Sequence, residues 1–332
     1  MMLRTGRIGS RALFTGSLLL FMAWGLCTRA EGSDRKELHE VTGFGNNPGN
    51  LRMFLREPQG AGSLVGKRPM VMVLHGCGQD AESILKLSGW GAIADSVGAY
   101  LVFAQQKRSN NPMGCFNWFR EADALPGRGE VFSVAQMIEH AVARYPIDRG
   151  RVSAYGVSAG AAMAVALMAC HPKLLQQAAI VAGAPYGGVA KGDAERRPVV
   201  HPDALTPMQW AERVRKVALD PVDRYPRMVV VHGARDQVAD YELARALVAQ
   251  WTAVAGTDSV PETKERIDAR ATVVRMSFRD STGAEPVVLY RIEELGHRLA
   301  QDDEGRGGWT GKDVGFNSTR AIAREFGLVD RP

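Results

Sequence analysis

No uninterrupted apolar run in this 332-residue chain reaches the roughly 20 residues that a membrane-spanning helix needs. The longest apolar stretch, residues 12–27, is broken by Thr15, Gly16 and Ser17. It follows Arg4, Arg7 and Arg11 and precedes Thr28-Arg29-Ala30, a small-residue cleavage context. Residues 1–30 therefore read as a secretory signal peptide, with a retained anchor as the alternative, and the expected location is secreted or periplasmic. Trp24-Gly25-Leu26 before Cys27 makes a poor lipidation signal.

A large excess of one sign of charge is also missing beyond residue 30. Of 41 basic residues against 36 acidic, four are the arginines of segment 1–30, which leaves the rest of the chain within one charge of neutrality. Nothing in that balance points to nucleic acid. Neither a Walker-type phosphate loop nor a His-Glu-x-x-His run is present, so no cofactor and no metal is expected. The chain has no fixed-period repeat and no Pro/Ser-rich linker, and residues 31–332 are expected to form one domain large enough to bury a sizeable core.

What is present is strand-like and helix-like runs in alternation. Strands are expected at 51–56, 69–75, 100–104, 151–155, 178–182, 227–232, 271–278 and 286–292. Helices are expected near 83–96, 131–144, 161–170, 241–254 and 317–326. The alternation predicts an α/β fold, a mainly parallel sheet with helices on both faces. Val131, Val134, Met137, Ile138, Ala141 and Val142 recur at helical spacing, which is core packing. The stretch 183–226, rich in Pro, Gly and charge, interrupts the alternation and reads as an irregular cap or substrate loop.

Between the strand at 151–155 and the helix at 161–170 stands Gly156-Val157-Ser158-Ala159-Gly160. In a chain with 36 glycines the pentapeptide is weak by itself, but a strand before it and a helix after it make the setting of a nucleophile elbow. Asp236 follows the strand at 227–232, and His297 follows the strand at 286–292. The order Ser, Asp, His is that of α/β-hydrolases, and it predicts acyl transfer by Ser158, Asp236 and His297. The competing roles are plain ones. Ser158 is also a good helix N-cap, Asp240 competes with Asp236 as the acid, and His75 and His232 sit at strand ends where a structural role is expected. His75-Gly76-Cys77-Gly78-Gln79 is a glycine-rich turn after the strand at 69–75; with the elbow it assigns the backbone N–H groups of Cys77 and Ala159 to an oxyanion hole. Trp118, Pro185 and Tyr186 are candidate walls of a substrate pocket, with aromatic packing under a loop as their other reading.

Seven ordered segments carry a resemblance. They are residues 43–53, His75 to Gln79, Asn111 to Phe119, the elbow, Ala182 to Gly187, His232 to Asp236, and Gly296-His297. Together the chain resembles the secreted esterases of the poly(3-hydroxybutyrate) depolymerase type, a family that includes feruloyl esterase-like enzymes. The resemblance implies a carboxylic ester substrate, polymers included, a Ser158, Asp236, His297 triad and a Cys77–Cys115 disulfide. By the loop-entropy model such a bridge would stabilise the fold by on the order of 4 kcal/mol. Cys170 is expected to be a buried free thiol. This sequence departs from the family at Val157, Ala161, Gly187-Gly188 and Arg235, positions that bear on the acyl pocket and the electrostatics around Asp236. With 35 residues after His297, no appended polymer-binding domain is expected. The resulting expectation is a serine esterase acting on hydroxyalkanoate polyester or oligomers. The rivals are a feruloyl or related plant-polysaccharide esterase, a peptidase with the same triad, and a binding protein without turnover.

Overall fold

The computed structural model describes residues 37–63, 65–188, 205–219, 222–267, 272–302 and 311–330. The expected signal segment 1–30 lies outside the described residues, as does much of the expected cap, residues 189–204 and 220–221.

The described chain is an alternation of strands and helices. Its first half runs β1 (His39–Val41), β2 (Arg52–Arg56), β3 (Arg68–Leu74), α1 (Ala81–Ser88), α2 (Trp90–Val97), β4 (Tyr100–Gln105), α3 (Glu121–Ala124), α4 (Gly129–Arg144), β5 (Ile147–Val157) and α5 (Ala159–Cys170). It continues through β6 (Gln177–Val181), α6 (Pro207–Arg215), β7 (Arg227–Gly233), α7 (Tyr241–Ala255), β8 (Thr263–Arg266), β9 (Val273–Phe278), β10 (Val287–Ile292), β11 (Leu299–Gln301), β12 (Gly311–Asp313) and α8 (Ser318–Glu325). Ten strands form one sheet in the order β1-β2-β4-β3-β5-β6-β7-β10-β9-β8. The centre, from β4 to β10, is parallel, and the β1-β2 and β9-β8 edges are antiparallel.

The central strands are apolar on both faces because helices cover both, as parallel sheets require. Met70, Met72 and Leu74 of β3 pack with α4 and α5, while the alternating Val71 and Val73 pack with α1 and α2. All twelve residues of α5 are buried, so its run of Ala, Met and Leu needs no polar face.

Two expectations are corrected. A single helix over 83–96 becomes α1 and α2, separated by Gly89 in the left-handed region (φ 74°), which a side chain adopts only with strain. The stretch 183–226 is not irregular throughout. Thr206 caps α6, its hydroxyl accepting from Gln209 N, with Pro207 at the first helical position where no donor is lost. Buried Gln250 of α7 joins this region to the core, donating to Trp210 O and Tyr186 O and accepting from Tyr186 N.

Candidate active site

The glycines of the elbow are there because backbone meets backbone. A Cβ on Gly160 would stand 2.4 Å from the carbonyl oxygens of His75 and Leu74; one on Gly156 would stand 2.4 Å from Gly160 O and 2.6 Å from Ala161 Cα. The turn between β5 and α5 is thus clamped against the end of β3. Ser158 sits in it at φ 55°, ψ −121°, a conformation that costs a non-glycine residue on the order of 1–3 kcal/mol. Its amide donates to Val181 O at 2.8 Å. Its side chain does not cap α5; Ser158 Oγ lies 3.0 Å from His297 Nε2 instead.

Asp236 leaves the end of β7 and His297 the end of β10, which are neighbouring strands. The two loops are joined by Ala234 N to Ile292 O (2.8 Å) and Arg235 N to Leu295 O (3.0 Å). Asp236 is buried; its Oδ1 accepts from Val238 N and Ala239 N, both at 2.9 Å, and its Oδ2 accepts from His297 Nδ1 at 2.8 Å. Burial alone would raise the Asp236 carboxyl, but the bond from His297 and the two amides outweigh it and hold the pKa below the usual value. Because an ionised carboxylate only accepts, His297 carries its proton on Nδ1 and turns the Nε2 lone pair to Ser158.

The competing residues have other duties. Asp240 caps α7, its Oδ1 accepting from Glu242 N. His232 is buried and donates from Nε2 to Ala239 O at 2.7 Å, bracing the Asp236 turn from beneath; burial pushes its pKa down. His75 is buried too, Nδ1 donating to Gly76 O and Nε2 accepting from Gln106 N. Arg235 is exposed.

The turn after β3 carries Cys77, joined to Cys115 by a disulfide. Gly76 N donates to Gln79 Oε1 at 2.8 Å, and a Cβ on Gly76 would stand 3.5 Å from Ser158 Cβ, so this turn lies directly against the serine. Ala159 is the first residue of α5, where the leading N–H groups have no intrahelical acceptor. Among the pocket candidates, Trp118 is half-buried and meets Phe119 edge-on, and Pro185 is buried. Tyr186 is half-buried with its hydroxyl donating to Ala124 O at 2.9 Å. Cys170 is a buried free thiol whose pKa burial pushes up to about 12.

Behind the disulfide stands a buried acidic side chain, Glu130, that was not singled out from the sequence. Glu130 Oε1 accepts from Gln106 Nε2 and Asn117 Nδ2, both at 2.6 Å, and Oε2 accepts from Asn117 N at 2.7 Å. Gln106 Nε2 also donates to Cys115 O at 3.0 Å, so one carboxylate fixes the segment that carries Cys115. Burial, outweighing these bonds, raises the Glu130 pKa to about 7. A cavity of about 330 Å³ opens beside the same turn, between Gly78-Gln79 and Gln106 to Arg108. Another, of about 520 Å³, lies between α1–α2 and α8 and is lined by none of Cys77, Ser158, Ala159, Asp236 and His297.

A serine at the β5–α5 turn and a histidine and aspartate at the ends of two further strands of a mostly parallel sheet define the α/β-hydrolase class. Sequence comparison gives the family within it. The chain belongs to the esterase PHB depolymerase family, whose profile matches residues 52–273. It is 30% identical to poly(3-hydroxyalkanoate) depolymerase C of Paucimonas lemoignei over 329 residues, 97% of this chain and 78% of that one. It is 28% identical to feruloyl esterase B of Talaromyces stipitatus over 72% of this chain and 66% of that one. Among solved structures, acetyl xylan esterase from Aspergillus awamori shares the fold with a TM-score of 0.73 at 21% identity, covering 89% of this chain and 100% of that chain. The protein is a carboxylic ester hydrolase of this group.

Proposed function

We propose that this chain is an exported serine esterase that cleaves 3-hydroxyalkanoate polyester or its oligomers through an acyl-enzyme. Ser158 Oγ attacks the ester carbonyl carbon while His297 Nε2 takes its proton; Asp236 steadies the imidazolium so formed. The amides of Cys77 and Ala159 receive the developing oxyanion, where each donor is worth about 2.7–4 kcal/mol in the transition state. His297 returns the proton to the leaving alcohol, and water activated by the same imidazole then releases the acid and restores Ser158.

The observation that supports this reading most is His297 bridging Asp236 and Ser158 at 2.8 and 3.0 Å. The polyester assignment rests on the depolymerase likeness spanning 97% of the chain, against 72% for the feruloyl esterase. Export agrees with the Cys77–Cys115 disulfide, a bond that persists in oxidising compartments. Residues 31–332 are taken as one catalytic domain, with 183–226 bordering the substrate, Trp118, Pro185 and Tyr186 among its walls.

Product release from 3-hydroxybutyrate oligomers and methyl ferulate, measured side by side with Ser158→Ala as control, tests the proposal. Preferential release of hydroxybutyrate supports it. Preferential release of ferulate transfers the enzyme to the plant-ester branch, and turnover retained by Ser158→Ala overturns the nucleophile.

A further inference from the structure

The loop 111–117, between β4 and α3, carries Cys115, and its amide side chains all point one way. Met113 N donates to Asn111 Oδ1 at 3.0 Å, Asn111 Nδ2 to Asn117 Oδ1 at 2.9 Å, and Asn117 Nδ2 to Glu130 Oε1 at 2.6 Å. Gln106 is oriented in the same sense. Its Oε1 accepts from Lys107 N and Asn110 Nδ2, which leaves Nε2 to face Cys115 O and Glu130 Oε1. Asn117 N completes the set on Glu130 Oε2. Gln106, Asn111, Asn117 and Glu130 are all buried, so a partner lost here leaves a buried polar group unsatisfied.

Three donors therefore converge on Glu130, and neither amide can turn its oxygen toward it without giving up the bonds at its far end. Only a group that accepts at both oxygens ends such a chain, and a carboxylate does so. A glutamine accepts at one oxygen, and its NH₂ would be set against Asn117 N or against the NH₂ groups of Gln106 and Asn117. The carboxylate thus decides the direction of every amide from Glu130 out to Met113.

The Cys77–Cys115 disulfide ties this loop covalently to the turn after β3. The β3 side of that turn is held separately, by His75 Nδ1 donating to Gly76 O and Gln106 N donating to His75 Nε2, bonds that need nothing from Glu130. The Cys77 side has the disulfide. We propose that Glu130 is a positioning residue for catalysis: it holds the loop 111–117 and, through the disulfide, sets the place of the Cys77 amide toward the oxyanion. The inference rests on the reading of Cys77 as an oxyanion donor and supplies what supports that donor. An amide that meets charge developing in the transition state acts on kcat and leaves ground-state binding alone.

The test is a double-mutant cycle on p-nitrophenyl acetate at about pH 8.5, above the Glu130 pKa of about 7. Glu130→Gln in the disulfide-bonded protein should lower kcat and kcat/KM alike, by about ten- to a hundredfold, less than the loss of a whole oxyanion donor, with KM unchanged. In the protein carrying Cys77→Ala and Cys115→Ala the same substitution should change kcat by less than about twofold, because the route to the turn is already cut. Asn111→Ala breaks the chain in its middle and spares Glu130. It should repeat both results in milder form, and it carries the test where Glu130→Gln does not fold. Equal losses with and without the disulfide, a loss confined to KM, or wild-type kcat overturns the proposal. With Ser158→Ala inactive, each of those outcomes leaves the esterase reading standing. Turnover retained by Ser158→Ala overturns that reading and the positioning role with it.

Discussion

Gly233 faces the carbonyl of Leu295 so closely that a Cβ on it would stand 2.2 Å from that oxygen. The contact holds the Asp236 turn against the His297 loop, so the spacing of these two side chains depends on a residue without a side chain. Gly233→Ala should part the two loops. A displacement of about 1 Å costs on the order of a hundredfold in rate, and overpacking costs about 1–3 kcal/mol of stability. Kinetics on p-nitrophenyl acetate and a thermal melt read both effects. Wild-type kinetics in this variant would show that the loops are not coupled.

Asp236→Asn should lower kcat by about 10⁴-fold with the fold retained. The amides of Val238 and Ala239 both donate to Oδ1, so an asparagine would keep its oxygen there and turn its NH₂ toward His297 Nδ1. That forces the proton onto Nε2, where it can no longer accept one from Ser158. Since the folded pKa of Asp236 is depressed, its contribution to stability is present above about pH 3.9 and is lost as pH falls through the folded value. Circular dichroism melts of variant and wild type from pH 2 to 6 should converge at the acid end.

Glu130 should give the opposite slope. Its folded pKa stands at about 7, against roughly 4.3 in the unfolded chain, so between those values the native state keeps a proton that the unfolded chain has released. Native stability from this group therefore declines as pH rises from about 4.3 to 7, by on the order of 3–4 kcal/mol in all. Urea unfolding at pH 5 and pH 8 should show a smaller difference in Glu130→Gln than in the wild type. Equal differences would mean that the carboxylate is already ionised at pH 5.

Reduction, or Cys115→Ala, should destabilise the protein by on the order of 4 kcal/mol, from a bridge spanning 38 residues. It should also lower kcat, because the Cys77 amide is then held by the turn alone. Thiol titration of the denatured, unreduced protein checks the pairing. It should find one free thiol, Cys170, if residues 1–30 have been removed, and two if Cys27 is retained.

Much of the fold was legible because the parallel strands are short apolar runs closed by turn residues, as in Val71 to His75 and Met228 to Gly233. The break at Gly89 was not, since glycine within a helical pattern is compatible with both a continuous helix and a left-handed stop. Helix α6 was missed because its Gln, Glu and Arg residues look like loop composition; its cap Thr206 and Pro207 were the available signal. Glu130 left no local trace. Its partners Gln106 and Asn117 lie 24 and 13 residues away, and a glutamate near a helix start is ordinarily read as complementing the helix dipole.

The sequence by itself determined the α/β class, the elbow and the order Ser158, Asp236, His297, because these depend on local periodicity and on where each residue stands relative to its own strand. Only the tertiary structure decided that Asp236 and not Asp240 faces His297, that Ser158 Oγ turns to the imidazole and does not cap its helix, and that Lys107 and Arg108 come to line a cavity beside Cys77. Each of these is a choice between neighbours of similar chemistry. It is made by hydrogen bonds between loops more than fifty residues apart, or by packing that brings strand ends together, and neither is written in the spacing of residues along the chain.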